Sequence, residues 1–296
     1  MRRFTYHQPT NIDEGLSLLS SHGADAKVIA GGQSLLPMMA MRLSSPAHLI
    51  DVARMGGGLD TIGADDRSIG VGANVSHSSV AASQMVEQSV PLLTRAAPMI
   101  GHRAIRNRGT LCGSIAHADP AAEWPAVALA LDAEIVASSV TGSRVLRADE
   151  FFLGFLTTRL RDEELVTEVR FPFRQRREGS AIHELSRRHG DFAMCGAVAR
   201  LRLDPAGVIE FAAVACFGVA STPVRMEEAE AMLLGQPPSA DLFGEAAAMV
   251  AGRLDPPSDV HATAPYRKHI AGVLARRALV DAGAEATSDI VVGAGR

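Results

Sequence analysis

In the C-terminal third of the chain, β-prone stretches at 195–203 and 208–219 precede three helical patterns with no strand between them. The helical patterns lie at 224–234, closed by Gly235 with Pro237 beyond, at 241–253, and at 265–282, where Tyr266, Ile270, Val273 and Leu274 share one face. Strands grouped ahead of helices cannot alternate as βαβ units. The order therefore argues against a doubly wound parallel sheet and for an α+β fold.

The N-terminal part is more mixed. A β-prone run, Lys27-Val-Ile-Ala30, stops at Gly31-Gly32, and upstream of it Ile12, Leu16, Leu18 and Leu19 form a short helical stripe after Pro9-Thr10-Asn11. Residues 48–52 and 68–72 read as further strands, and 76–85 as a helix with hydroxyl caps. A second helix spans 91–99 and ends near Gly101. After a Gly-rich segment at 109–116, Trp124, Val127, Ala128 and Leu131 recur at helical spacing within 121–131, running into a β-like 134–137. Residues 165–171 alternate and stop at Pro172. The charged, turn-rich run Phe173–Gly179 marks a domain boundary, and a length of 296 residues suits two domains of roughly 150 each.

Composition narrows the function classes. With 47% apolar and 21% charged residues the chain can build a sizeable core, and a net charge of −4 argues against a nucleic-acid partner. No stretch approaches the ~18 apolar residues of a membrane span. The first residues lack a signal peptide's apolar run, so a cytoplasmic protein is expected. Cys112, Cys195 and Cys216 lie far apart and the ten histidines are scattered, so neither an iron–sulfur cluster, a zinc set nor any other metal site is expected.

Two segments can carry chemistry. In Val28-Ile-Ala-Gly-Gly-Gln-Ser-Leu-Leu-Pro37, a strand ends in two glycines, which lets main-chain N–H groups converge on a phosphate. In Arg106-Asn-Arg-Gly-Thr-Leu-Cys-Gly-Ser-Ile-Ala-His-Ala-Asp-Pro120, small and hydroxylated residues precede a helix beginning near Asp119-Pro120. Either segment alone reads more readily as an ordinary turn or loop, the second with Asp119 simply capping a helix. Gly70-Val-Gly-Ala-Asn-Val75 lacks the third glycine of a dinucleotide fingerprint, and there is no Gly-x4-Gly-Lys-Ser/Thr loop and no Gly-x-Ser-x-Gly elbow. Arg176-Arg177 and Arg187-Arg188-His189 read as solvated surface.

Taken in order, Ala30-Gly-Gly-Gln-Ser-Leu35, the 106–120 segment and Ser186-Arg-Arg-His-Gly-Asp-Phe-Ala193 resemble the FAD-binding medium subunit of molybdenum hydroxylases, the family of carbon monoxide, nicotine and xanthine dehydrogenases. The likeness covers essentially the whole chain. It implies an α+β fold with a two-subdomain FAD-binding domain of the vanillyl-alcohol-oxidase/p-cresol-methylhydroxylase type at 1–175, divided near residue 56. A smaller domain of antiparallel sheet plus helices at 176–287 and a tail at 288–296 would follow.

By the same resemblance, Ala30, Gly31, Gly32, Gln33, Ser34 and Leu35 would hold the FAD pyrophosphate from one side. Thr110, Leu111, Cys112, Gly113 and Ser114 would hold it from the other, charge-assisted N–H donors being what two phosphates require. His117, Asp119 and Glu123 would lie along the ribityl or ribose, Ile100 and Ile105 near the adenine, and Asp191 and Phe192 near the isoalloxazine. Cys112 replaces the first glycine of a pair usual in the family. Either the main chain stands farther from the phosphate there, or Cys112 has a negative φ that tolerates a small side chain. Gln33 stands where many relatives have His and cannot attach flavin, so non-covalent FAD is expected. Ile182, Glu184 and Ser186 occupy a strand in which some relatives carry Tyr or Lys.

The resemblance further implies partners: a large subunit with the molybdenum cofactor and a small subunit with two [2Fe–2S] clusters, assembled as a dimer of heterotrimers. This chain would relay electrons through FAD to a terminal acceptor and would need no catalytic acid, base or nucleophile. A stand-alone FAD oxidase or reductase and a non-catalytic nucleotide-binding module are the competing readings.

Overall fold

The structure, a computed structural model, describes residues 3–293. The chain opens with β1 (Thr5–His7), α1 (Ile12–His22), β2 (Ala26–Ile29), α2 (Leu35–Ala40) and β3 (His48–Asp51). The three strands form a parallel sheet in the order β1-β3-β2. Asn11 accepts from the Glu14 amide at 2.9 Å, while the Glu14 carboxylate takes the Thr10 amide at 2.8 Å. This reciprocal cap starts α1 where its apolar stripe begins, and Leu16 and Leu19 are buried beneath it.

The next unit contains β4 (Ile62–Ala64), β5 (Ser68–Gly72), α3 (His77–Ala82), α4 (Gln84–Ser89), α5 (Pro91–Ala96), α6 (Arg103–Arg106), α7 (Leu111–His117) and α8 (Glu123–Ala130). It continues through β6 (Glu134–Ser139), β7 (Gly142–Arg147), α9 (Ala148–Phe151), the short pair β8 (Phe152–Gly154) and β9 (Thr157–Thr158), and β10 (Leu165–Pro172). A five-stranded antiparallel sheet runs β4-β5-β10-β6-β7. The helix expected over 76–85 is broken in two. Ser76 caps α3 through the Ser79 amide and Ser83 caps α4 through the Val86 amide, so Ser83 adopts extended backbone instead of continuing the helix.

The last unit is an antiparallel sheet of β11 (Glu178–Ser186), β12 (Ala193–Leu203), β13 (Ile209–Phe217) and β14 (Val224–Arg225), followed by α10 (Glu227–Leu233), α11 (Ala240–Arg253) and α12 (Ala264–Gly293). Along β12, Cys195, Ala197, Ala199 and Leu201 enter the core shared with α10–α12. Val198, on the opposite face, joins the larger N-terminal core together with Phe217 and the buried residues of α8. The strand alternates as period 2 requires, yet both faces are covered. Every residue of α8 is buried. Arg267 of α12 donates to the Met194 and Gly218 carbonyls at 2.6 and 2.7 Å, tying that helix to two strand ends.

The charged run at 173–179 is less exposed than its composition suggests. Glu178 is buried and receives both guanidinium arms of Arg200, at 2.9 and 3.1 Å. The last helix passes the expected end at 282 and the expected start of a tail at 288. Residues 294–296 of that tail lie outside the described residues. Among the described residues no helix is long and apolar enough to cross a membrane.

Candidate functional site

The two glycine-bearing turns, far apart in sequence, touch backbone to backbone. A Cβ at Gly31 would lie 2.0 Å from the Arg108 carbonyl oxygen and 2.6 Å from Gly109 Cα, so only glycine permits this approach. Gly113 faces Ala30 across the same seam, where an added Cβ would lie 3.8 Å from the Ala30 Cβ. Gly32 turns the chain at φ +70°, and the Gln33 side-chain amide donates back to the Gly31 carbonyl at 2.9 Å. Among the described residues the N–H groups of Gly32, Gln33 and Ser34 have no acceptor, and the Ser34 hydroxyl caps nothing although α2 starts directly after it.

The 109–116 segment, expected as a loop, is mostly helix. Thr110 caps α7 by accepting the Gly113 amide at 3.0 Å, and the turn is fastened to α3 by a bridge between Ser76 and Thr110. Leu111, Cys112 and Ile115 point into the core while Gly113, Ser114 and His117 remain half-buried. Small, hydroxylated residues read as a loop in isolation. Here the threonine cap and the buried stripe behind it win the segment for the helix.

Cys112 lies inside α7, outside the positive-φ region, and its thiol donates to the Val71 carbonyl at 3.2 Å. Burial holds that thiol protonated, with the nearby Glu168 adding to the effect. The helix ends at Ala118 in the left-handed region, φ +51°. Asp119 accepts the Ala121 amide at 2.9 Å, closing a turn ahead of α8 and leaving the helix cap to Ala122.

A buried polar contact that the sequence does not announce supports the second turn from behind. The Trp124 indole donates to His77 Nδ1 at 2.9 Å, and a Cβ at Gly109 would come within 2.7 Å of His77 Nε2. Burial, helped by the charge of Arg106, pushes the His77 imidazole down to about 4, so it stays neutral and accepts from the indole. The only signal in the sequence is one histidine just inside a serine-capped helix.

Glu123, at the start of α8, is buried beside Glu184 of β11. Burial first, and then the other carboxylate, raises Glu123 above the ordinary carboxylate range; burial raises Glu184 as well. Glu184 Oε2 is buried without a hydrogen-bond partner among the described residues. Arg106 donates to the Ile100 and Gly101 carbonyls at 3.1 and 2.6 Å, which places half-buried Ile100 and Ile105 on one short bend. The 187–192 loop meets that bend at His102, whose ring would lie 2.3 Å from a Cβ at Gly190. Asp191 and Phe192 are exposed at its tip, Phe192 by 70%.

Residues 2–174 match the family described as the FAD binding domain in molybdopterin dehydrogenase, and residues 180–282 match the CO dehydrogenase flavoprotein C-terminal domain. The chain is 40% identical to the 6-hydroxypseudooxynicotine dehydrogenase complex subunit alpha of Paenarthrobacter nicotinovorans, over 94% of each chain. It is 36% identical to the carbon monoxide dehydrogenase medium chain of Hydrogenophaga pseudoflava, over 94% of this chain and 96% of the relative. The fold superposes on a carbon monoxide dehydrogenase structure from Hydrogenophaga pseudoflava with a TM-score of 0.93 at 37% identity, covering 96% of this chain and 98% of that one. With both halves matched in order and near-complete coverage of each relative, the chain belongs to the FAD-binding medium subunits of molybdenum hydroxylases, a family of oxidoreductase subunits.

Proposed function

We propose that this chain is the electron-relay subunit of a heterotrimeric molybdenum hydroxylase, holding FAD non-covalently between the 30–35 and 110–114 turns. When bound, FAD would supply the redox chemistry by which this subunit would pass electrons from [2Fe–2S] clusters of a small partner subunit to a terminal acceptor. The molybdenum cofactor belongs to a large partner subunit. Two such trimers pair, and the assembly works in the cytoplasm, where the free, buried thiols are stable.

The observation that carries this reading is the seam between Gly31 and Arg108–Gly109. It brings the unpaired amides of Gly32, Gln33 and Ser34 beside the N-terminus of α7, a concentration of donors suited to a pyrophosphate. Ala30 and Leu35 flank the first group of donors; in the second turn the amides of Leu111, Gly113 and Ser114 already donate to Val75 and Thr110, so the Thr110 and Cys112 amides and the Ser114 hydroxyl would face the ligand. The side chains of Leu111 and Cys112 face the core, so these two residues contribute main chain to the site. Gln33 has no nucleophilic or ring nitrogen with which to form a flavin bond.

The buried, unpaired oxygen of Glu184 fits a hydroxyl donor, and with Glu123, His117 and Asp119 it would hold the ribityl or ribose. Ile100 and Ile105 would pack on the adenine. Exposed Phe192, with Asp191, would cover one face of the isoalloxazine. No residue is assigned a catalytic role. The chain's work is to bind, orient and shield.

Absorption spectra of the complex from its native host, recorded before and after acid precipitation, test the proposal. Flavin bands that pass to the supernatant, with iron–sulfur absorbance from co-purifying chains, are expected. Flavin on this chain with no partner subunits would favour a stand-alone oxidase or reductase. Failure to take up added FAD would overturn the assignment.

A further inference from the structure

Outside the flavin region, the N-terminal sheet gathers three histidines. His48 lies opposite Thr5 in the β1–β3 ladder, so His7, two residues beyond Thr5, projects from the same face. The last turn of α1 brings His22 over that face. Its ring stacks on His48 with centroids 3.7 Å apart and planes at 10°, and the His7 ring lies 5.2–5.3 Å from both. His7 Nε2 and His48 Nδ1 are 3.0 Å apart, and one nitrogen from each of the three rings lies within 4.8 Å of the others.

We propose that His7, His22 and His48 form a binding site for one divalent late transition-metal ion of the zinc class, with water as the fourth ligand. A tetrahedral ion with metal–nitrogen bonds of about 2.0–2.1 Å holds its ligand nitrogens about 3.3 Å apart. The His7–His48 pair already meets that spacing. All three nitrogens lie within 4.8 Å of one another, so that spacing is reached by a movement of at most about 1.5 Å, with the His22 ring turning off its stack on His48 so that both lone pairs face the ion.

Among the described residues the one hydrogen bond to these rings is that between His7 and His48. No carboxylate hydrogen-bonds to any of the three imidazoles among the described residues. His22 sits in the last turn of α1, where the helix dipole presents negative potential to a positive ion. All three rings are half-buried, open enough for an ion to enter. Imidazole ligands suit zinc, copper and nickel over magnesium or calcium. A bound ion would clasp β1, β3 and α1, the unit from which the first flavin turn emerges.

The test uses the full-length, FAD-loaded chain after treatment with a chelator, titrated with Zn²⁺ by calorimetry and with Cu²⁺ by electron paramagnetic resonance. One equivalent of Zn²⁺ per chain, a raised melting temperature and a copper spectrum split by about three nitrogens are expected. H22Q and H48A should weaken binding by more than the about 10–100-fold that loss of an outer partner costs. H269A, which removes an exposed histidine on α12, should leave it unchanged. Retained flavin absorbance and a metal-free melting temperature near wild type certify that each variant is folded. No stoichiometric uptake by the wild type, equal affinity in H22Q, or an equal loss in H269A would overturn the site.

Discussion

The two turns that meet at Gly31 are held by opposite means. The first leaves a four-residue strand, stays half-exposed and rests on a small cluster of Ile29, Met39 and Leu49. Its shape depends on side chains being absent at Gly31 and Gly32. The second is anchored from behind by the buried side chains of Leu111, Cys112 and Ile115, and by His77 on Trp124. One turn is specified by space that must stay empty, the other by a core that must stay full. Substitution at the first should therefore remove the ligand whatever it costs in stability, whereas damage to the second should register as lost stability with the flavin kept.

The largest effect is expected from Gly31→Leu, because the Arg108 carbonyl that blocks its Cβ is backbone. The variant should lose all flavin absorbance on gel filtration and be destabilised by about 3 kcal/mol or more. Gly32→Leu should also lose flavin but melt closer to wild type. Its nearest obstacles are flexible ends of Leu36 and Ile29 at 3.0–3.3 Å, and the φ of +70° costs only about 1–2 kcal/mol. Full FAD occupancy in either variant would show that the first turn is not a cradle.

The second turn should be the acid-sensitive one. The folded His77 is held near 4 by burial, below its unfolded value of 6.5, so its stabilising contribution is complete above that value and is lost as pH falls toward 4. The loss is on the order of 3 kcal/mol. Urea unfolding at pH 7, 5 and 4 should show it. His77→Asn, whose carbonyl can still accept from Trp124, should flatten the pH slope by about one proton. An unchanged slope would remove His77 from the comparison.

Next in size, the Glu123–Glu184 pair should act at the other end of the pH scale. Both groups are raised in the folded chain, so their contribution is full below the ordinary carboxylate range and declines as pH rises through the folded values. Glu184→Gln should reduce the fall in melting temperature between pH 6 and 9. It should be the more stable chain at pH 9 by about 1 kcal/mol. A steeper fall in the variant would mean that the pair is ionised and compensated in another way.

The smallest effect is expected at Cys112→Ala. The buried thiol packs on Val71, away from the turn's free face, so the variant should keep its flavin and lose about 1 kcal/mol of stability. Flavin loss there would mean that the core behind the second turn also sets its amide geometry.

How much of this is legible in sequence depends on how local the cause is. Gly31-Gly32 after a β-prone run announces a turn, and the polar entry Pro9-Thr10-Asn11 marks the start of α1. The broken helix at Ser83 and the helix hidden in 111–117 are misread because serine, threonine and glycine suit both loops and caps. Glu178 looks solvated until Arg200 on the neighbouring strand is known. The strand β11 has little β-prone patterning over Glu178–Ser186, and its pairing with β12 makes it one.

By itself the sequence determined the α+β order, the positions of the two glycine-bearing segments and, through its ordered motifs, the family. Periodicity, capping and glycine placement act within a few residues, and a one-dimensional pattern records them. Only the tertiary structure decided that Gly31 meets Arg108, that Trp124 donates to His77, that Glu123 shares its burial with Glu184 and that three histidines converge on one sheet face. These contacts join residues from different elements. They depend on the path of the chain and on which groups that path removes from water, and no local pattern encodes either.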